Sequence, residues 1–111
     1  MNNKQTYVSV SELNRYLGYK FETDALLQKV YLEGEISNFK AHSRGHYYFT
    51  IKDEGSRINA VMFATATKKL QFTPEDGMKV LVTGKISVFE ANGGYQIYVS
   101  EMTSKTLSKD A

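Results

Sequence analysis

A chain of 111 residues with 41% apolar side chains has room for one domain, which can bury roughly two-thirds of its unfolded surface without help from a disulfide or a metal. It contains no cysteine, which excludes thiolate catalysis and cysteine-ligated zinc and points to a reducing compartment. Fourteen basic against twelve acidic residues give only +2, and neither a signal-peptide core nor eighteen consecutive apolar residues occur, so a soluble, cytoplasmic protein is expected.

Residues 9–29 open the ordered part with a helical pattern. Ser11 is placed to cap a helix whose Leu13, Tyr16 and Leu17 share one face, and a short second turn is expected through Asp24, Ala25, Leu26 and Leu27. From Val30 the chain switches to runs rich in β-branched and aromatic residues: VYLEGEIS, HYYFTIKD, INAVMF, KVLVTGKISVF and YQIYVSE. Tight turns separate them at Asp53-Glu54-Gly55-Ser56, Pro74-Glu75-Asp76-Gly77 and Asn92-Gly93-Gly94. Gly34 and Gly84 fall inside strands, where bends and bulges of a small barrel need them. ATATKKLQF, between the third and fourth runs, is long enough for a helix. The expected organisation is a helical extension over 1–29, a barrel over 30–102 and a polar tail or linker over 103–111.

Five strands with a helix between the third and fourth match the OB-fold, a mainly β five-stranded barrel; an SH3-like barrel is the competing architecture. The helix position and the long first connection, Asn38 to Gly45, favour the OB order. Such a barrel usually binds ligands on the outer face of strands two and three, flanked by the one-to-two and four-to-five loops. In this chain those parts carry the unusual chemistry. Residues 36–72 hold six cations, Lys40, Arg44, Lys52, Arg57, Lys68 and Lys69, against Asp53 and Glu54, leaving eight basic and ten acidic residues elsewhere. The small net charge is therefore a difference between two unlike regions.

The expected first loop combines Asn38, Phe39, Lys40, His42 and Arg44, cations for phosphates beside a ring for a base. Alternation in strand two turns Phe49 and Ile51 inward and sends His46, Tyr48, Thr50 and Lys52 to the outer face. Strand three adds Arg57, Asn59, Val61 and Phe63, with Lys68 just beyond, and the last hairpin adds Phe89, Tyr95, Gln96 and Tyr98. Rings gathered round a basic groove point to single-stranded nucleic acid, bound with weak sequence preference because every base has a π-face. A protein-interaction module using the same rings, or an RNA-binding domain, remains open. No catalytic residue, metal site or cofactor is expected: Asp53 and Glu54 belong to a hairpin, and His42 and His46 have helical metal-site spacing outside any helix.

The motifs VSVSELN (residues 8–14), EGEISNF (33–39), GHYYFTIKDE (45–54), VMF (61–63), PEDGMKV (74–80) and GYQ (94–96) together resemble the N-terminal domain of the exodeoxyribonuclease VII large subunit. The resemblance implies a bacterial, cytoplasmic hydrolase that degrades single-stranded DNA from either end into oligonucleotides. It also implies a chain that is one piece of a longer nuclease, with its catalytic domain beyond residue 111 and its small subunits held by other parts. One departure is Ala64, where that family often carries an arginine after VMF; Lys68 or Lys69 is the candidate replacement. The barrel segment is similar, too, to the anticodon-binding domains of class II aminoacyl-tRNA synthetases, in which an aromatic at the position of Tyr48 stacks on an unpaired base.

Overall fold

A computed structural model describes residues 5–105. The first helix, α1 (Val10–Glu22), starts where Ser9 turns extended backbone into helix, its Oγ accepting from the Glu12 N–H at 3.0 Å while Glu12 Oε1 accepts from the Ser9 N–H at 2.7 Å. Ser9 rather than Ser11 is thus the cap, because only Ser9 has a glutamate three residues on to complete the reciprocal pair. Those bonds hold the Glu12 carboxyl below its usual range, the Ser9 backbone N–H contributing most. Asp24 caps the four-residue α2 (Ala25–Gln28), accepting from Leu26 and Leu27.

Five strands follow, β1 (Val30–Ala41), β2 (Tyr47–Lys52), β3 (Arg57–Met62), β4 (Lys79–Phe89) and β5 (Gly94–Ser104), closing a barrel in the order β1-β2-β3-β5-β4. Every pairing is antiparallel except β3 with β5, which run parallel over three residue pairs. Ile36, Phe49, Ile51, Met62, Val80 and Ile97 anchor a core drawn from all five strands. The helix between β3 and β4, α3 (Ala64–Thr67), is shorter than the nine residues expected, because the chain tightens to i→i+3 bonds at Lys69 and Leu70 and sends Leu70 and Phe72 against the core.

Two strands run farther than their alternation suggests, each because of a bulge. β1 continues to Ala41, so the connection to β2 is only the turn from His42 to His46, not the loop from Asn38 expected. β5 continues through Thr103 and Ser104, paired with Leu81 and Val80, so the polar tail starts later than residue 103; residues 106–111 of that tail lie outside the described residues. One extra residue in β5 between Val99 and Glu101 resets its parity, and Met102 and Ser104 point inward and are buried. Without the bulge, the alternation reads as ending at Glu101.

The α1 face that meets the barrel is Asn14, Gly18 and Phe21. Asn14 Nδ2 donates to the Glu90 carbonyl at 3.0 Å, and Gly18 lies against the Glu90 side chain. Leu13, Tyr16 and Leu17 do lie on one side of the helix, but that side is largely exposed. Among the described residues no helix is long and apolar enough to cross a membrane.

Candidate nucleic-acid interface

Directly paired residues on neighbouring strands present their side chains to the same face, so the registers define the outer surface as rungs about 7 Å apart. One rung runs Lys40 (β1), Tyr48 (β2), Val61 (β3), Tyr98 (β5), Lys85 (β4). The next runs Ser37, Thr50, Asn59, Gln96, Ser87. Beyond it Lys52 stands between Glu35 and Arg57, and past the opposite end of the β2–β3 register the His46 and Phe63 rings meet. An aromatic end, a polar amide and hydroxyl centre and a charged end, where Glu35 stands beside Lys52 and Arg57, thus share one face.

The rings are tied to one another. The His42 ring meets Tyr48 edge-on with centroids 4.6 Å apart, His46 meets Phe63 edge-on at 5.2 Å, and Phe63 stacks on Tyr98 at 5.7 Å with planes 20° apart. His46 is fixed at its back, its Nδ1 accepting from the Ala64 N–H at 2.9 Å, which leaves the ring proton on Nε2. Gln96 Nε2 donates to the Tyr98 hydroxyl at 2.8 Å, fixing that ring at its rim. Val61, although outward by alternation, is only 5% exposed, since Tyr48 and Tyr98 stand on either side of it as an apolar floor. A hollow of about 210 Å³ opens here between Lys40, Tyr48, Thr50, Asn59 and Gln96, and no carboxylate lines it.

Most of the residues singled out from the sequence come together here. Tyr48, Thr50, Asn59, Phe63 and Tyr98 lie on the face, with His42 and His46 packed onto its rings. Arg44 is exposed in the β1–β2 turn, and Arg57 stands at the far end of the sheet. Asn38 takes the left-handed conformation, φ 55°, at the β1 bulge, and its Oδ1 accepts from Lys40 Nζ at 3.2 Å. The extra residue reverses the parity of β1, delivering Lys40 to the face opposite Tyr48.

The same reversal corrects the expectation for Phe39. Its ring turns inward, edge-on to Tyr47 at 5.0 Å and 6.0 Å from Phe49, and its N–H donates to Asp76 Oδ1 at 2.9 Å, so it anchors the strand instead of facing a ligand. Tyr95 is also separated from the others. It pairs with Val88 and has the parity of Ile97 and Val99, which puts it on the other side of the hairpin from Gln96 and Tyr98. Phe89 shares the outer parity of Lys85 and Ser87 but sits at the hairpin end opposite Gly94. Lys68 caps the C-terminal end of α3, just past the short helix that Phe63 opens.

Lys85 is the residue sequence reasoning missed. Its outward parity in β4 is readable, but its position opposite Tyr98 depends on the β4–β5 register. It lies 3.9 Å from Glu22 Oε1, both side chains about half exposed, a weak pair. Asp53 accepts from the Gly55 and Ser56 N–H groups at 2.9 Å each, and those bonds hold its carboxyl below the usual value, consistent with a turn residue.

Residues 8–103 match the family of OB-fold nucleic-acid-binding domains. The chain belongs to this family. Over 99 residues, 89% of its length, it is 62% identical to the exodeoxyribonuclease 7 large subunit of Bacillus cytotoxicus, of which it spans 22%. The matched region is the N-terminal part of that protein, in line with the motif resemblance. Among solved structures the barrel resembles asparaginyl-tRNA synthetase from Pyrococcus horikoshii, with a TM-score of 0.56 and 21% identity over 71% of this chain and 20% of the synthetase. It also resembles a chain of a replication protein A heterotrimer bound to single-stranded DNA, with a TM-score of 0.57 and 14% identity over 70% of this chain and 57% of that one. At these identities the two structures speak for the fold alone.

Proposed function

We propose that this OB domain binds single-stranded DNA across β2, β3 and β5 and presents it to a nuclease active site elsewhere in a longer protein. The observation that carries the reading is the rung Lys40, Tyr48, Val61, Tyr98, Lys85: two rings standing over an apolar floor with a lysine at each end. Rings at this spacing stack on bases, and lysines at the margins meet the phosphates on either side. The 62% identity to a protein named as an exonuclease subunit supports DNA as the ligand and the cytoplasm as the place, and the replication protein A neighbour was solved with a single strand bound. Binding of this kind uses only the chain's rings and cations and calls for no cofactor. Small subunits would attach through other parts of the longer protein.

Fluorescence anisotropy with a labelled oligothymidylate, titrated from 50 to 200 mM salt, tests the reading. Each phosphate contact on a single strand contributes about 0.7 to the slope of log affinity against log salt. Lys40→Ala and Arg44→Ala should each flatten the slope by about that amount, equivalent to roughly 2.5-fold over this salt range. Affinity that does not change with salt would point to an apolar protein partner instead. Competition with oligouridylate separates DNA from RNA as the preferred strand.

A further inference from the structure

A further cavity lies round the corner from the β2–β3 face. A groove of about 620 Å³ runs between the end of α2 (Gln28, Lys29), α3 (Thr65, Ala66) and the bulged stretch of β4 and β5. Its floor is Gly84 and Val99, both buried. Gly84 has the inward parity of Val82 and Ile86, and a β-carbon there would lie 2.4 Å from the Tyr98 carbonyl oxygen and 2.9 Å from the buried Ile97 Cγ1, so glycine lets β4 and β5 close on each other beneath the groove. The bulge is pinned beside it by Ser100 Oγ, which donates to the Thr83 carbonyl at 3.1 Å.

Three features connect this groove with the face already described. Phe63 and Tyr98, the stacked pair at the aromatic end, also form the groove's near wall. Lys29 and Lys85 line it and no carboxylate does, Glu22 reaching Lys85 only weakly from outside the lining, so Lys29 is the cation best placed for an anion. Its volume falls within the range of sites that enclose a small organic group, whereas the hollow beside Tyr48 is about 210 Å³.

We infer that the groove is a second nucleotide subsite, in which a single strand leaving the β2–β3 face passes over Phe63 and Tyr98 and inserts an unstacked base above Gly84 and Val99, with Lys29 meeting its phosphate. The inference rests on the single-strand reading above, and an assay by oligonucleotide length separates the two. Oligothymidylates of about four nucleotides fill the outer face, and those of about twelve reach the groove as well, within the span of a single OB-fold. The variant Lys29→Ala/Thr65→Glu removes a cation and adds a carboxylate at the groove without altering the outer face; Lys29→Ala alone serves if the double variant melts early. The parent should bind the twelve-mer more tightly than the four-mer. The double variant should lose about fivefold or more on the twelve-mer, the lower bound for one stacked base, and stay within about twofold on the four-mer. In NMR titrations the Gly84 and Ser100 amides should shift with the twelve-mer and stay still with the four-mer. Equal loss on both lengths, or none on either, overturns the second subsite while leaving the first intact; a parent that binds neither length overturns both.

Discussion

Tyr48→Ala removes one of the two rings of the aromatic rung, the one beside Lys40, while leaving the barrel filled, since Phe49 and Ile51 occupy the core side of β2. A base stacked on such a ring contributes about 1–3 kcal/mol. The Tyr48 side of the hollow is only partly open: the residue is 37% exposed and the His42 ring already packs edge-on with it at 4.6 Å, so only part of the ring is available to stack. The expected loss therefore falls in the lower half of the range, about 5- to 30-fold in affinity. Val61 loses part of its cover, and stability should fall by no more than about 1 kcal/mol, roughly 4 °C in Tm for a domain of this size. Tyr48→Phe keeps the π-face and should bind within about twofold of the parent. Anisotropy at low salt against oligothymidylate, oligoadenylate and oligocytidylate is the assay, with thermal melts run alongside. The reasoning fails if the folded alanine variant binds within about twofold of the parent, or if the loss is confined to one base.

Two further outcomes follow from the local geometry. Gly84→Ala drives a β-carbon into the Tyr98 carbonyl and Ile97, so it should destabilise by about 1–3 kcal/mol in chemical denaturation; a neutral result would mean the bulge is softer than its contacts indicate. Asp53 is more acidic in the folded state than in the unfolded chain, because the Gly55 and Ser56 N–H groups favour its carboxylate; its contribution is full above its ordinary value near 3.8 and is lost as pH falls through the lower folded value. Asp53→Asn keeps an acceptor but no charge, so its melting temperature should fall less steeply than the parent's below pH 4, and parallel acid limbs would refute the assignment.

The barrel was legible because its strands announce themselves by composition and its turns by glycine, asparagine and aspartate, and those signals are local. The outward set Tyr48, Thr50 and Asn59 was legible for the same reason: β2 and β3 are regular six-residue strands, and simple alternation holds through both. Phe39 and the end of β5 were not, because alternation counts residues and a bulge adds one. Counting on from buried Ile36 puts Phe39 outside and Lys40 inside, and the extra residue at Asn38 exchanges them. Nothing in a run such as SNFKAH marks where the extra residue falls. Asparagine tolerates positive φ, but it does so in ordinary turns as well. Ser9 and Ser11 differ only in what stands three residues on, a cue that is present in the chain and decides the cap. Lys85 needed a pairing register between β4 and β5, which is long-range information.

The two bulges are also where the candidate surface acquires its shape. In β1 the bulge turns a lysine from the core to the outer face and a phenylalanine from the face to the core, so a single inserted residue adds a cation beside Tyr48 and an anchor behind it. In β5 the bulge lies beside Gly84, and the bulged stretch borders the groove behind Phe63 and Tyr98. Without the β1 bulge Lys40 would point to the core side and leave Tyr48 without its cation. This bears on charge as well. Of the six cations between residues 36 and 72, Lys40, Lys52 and Arg57 project from the outer face and Arg44 from the turn beside it, while Asp53 is engaged by its own hairpin. A net charge of +2 describes the whole chain poorly, because the cations of residues 36–72 gather on one side of the barrel and irregular backbone in β1 adds Lys40 to them.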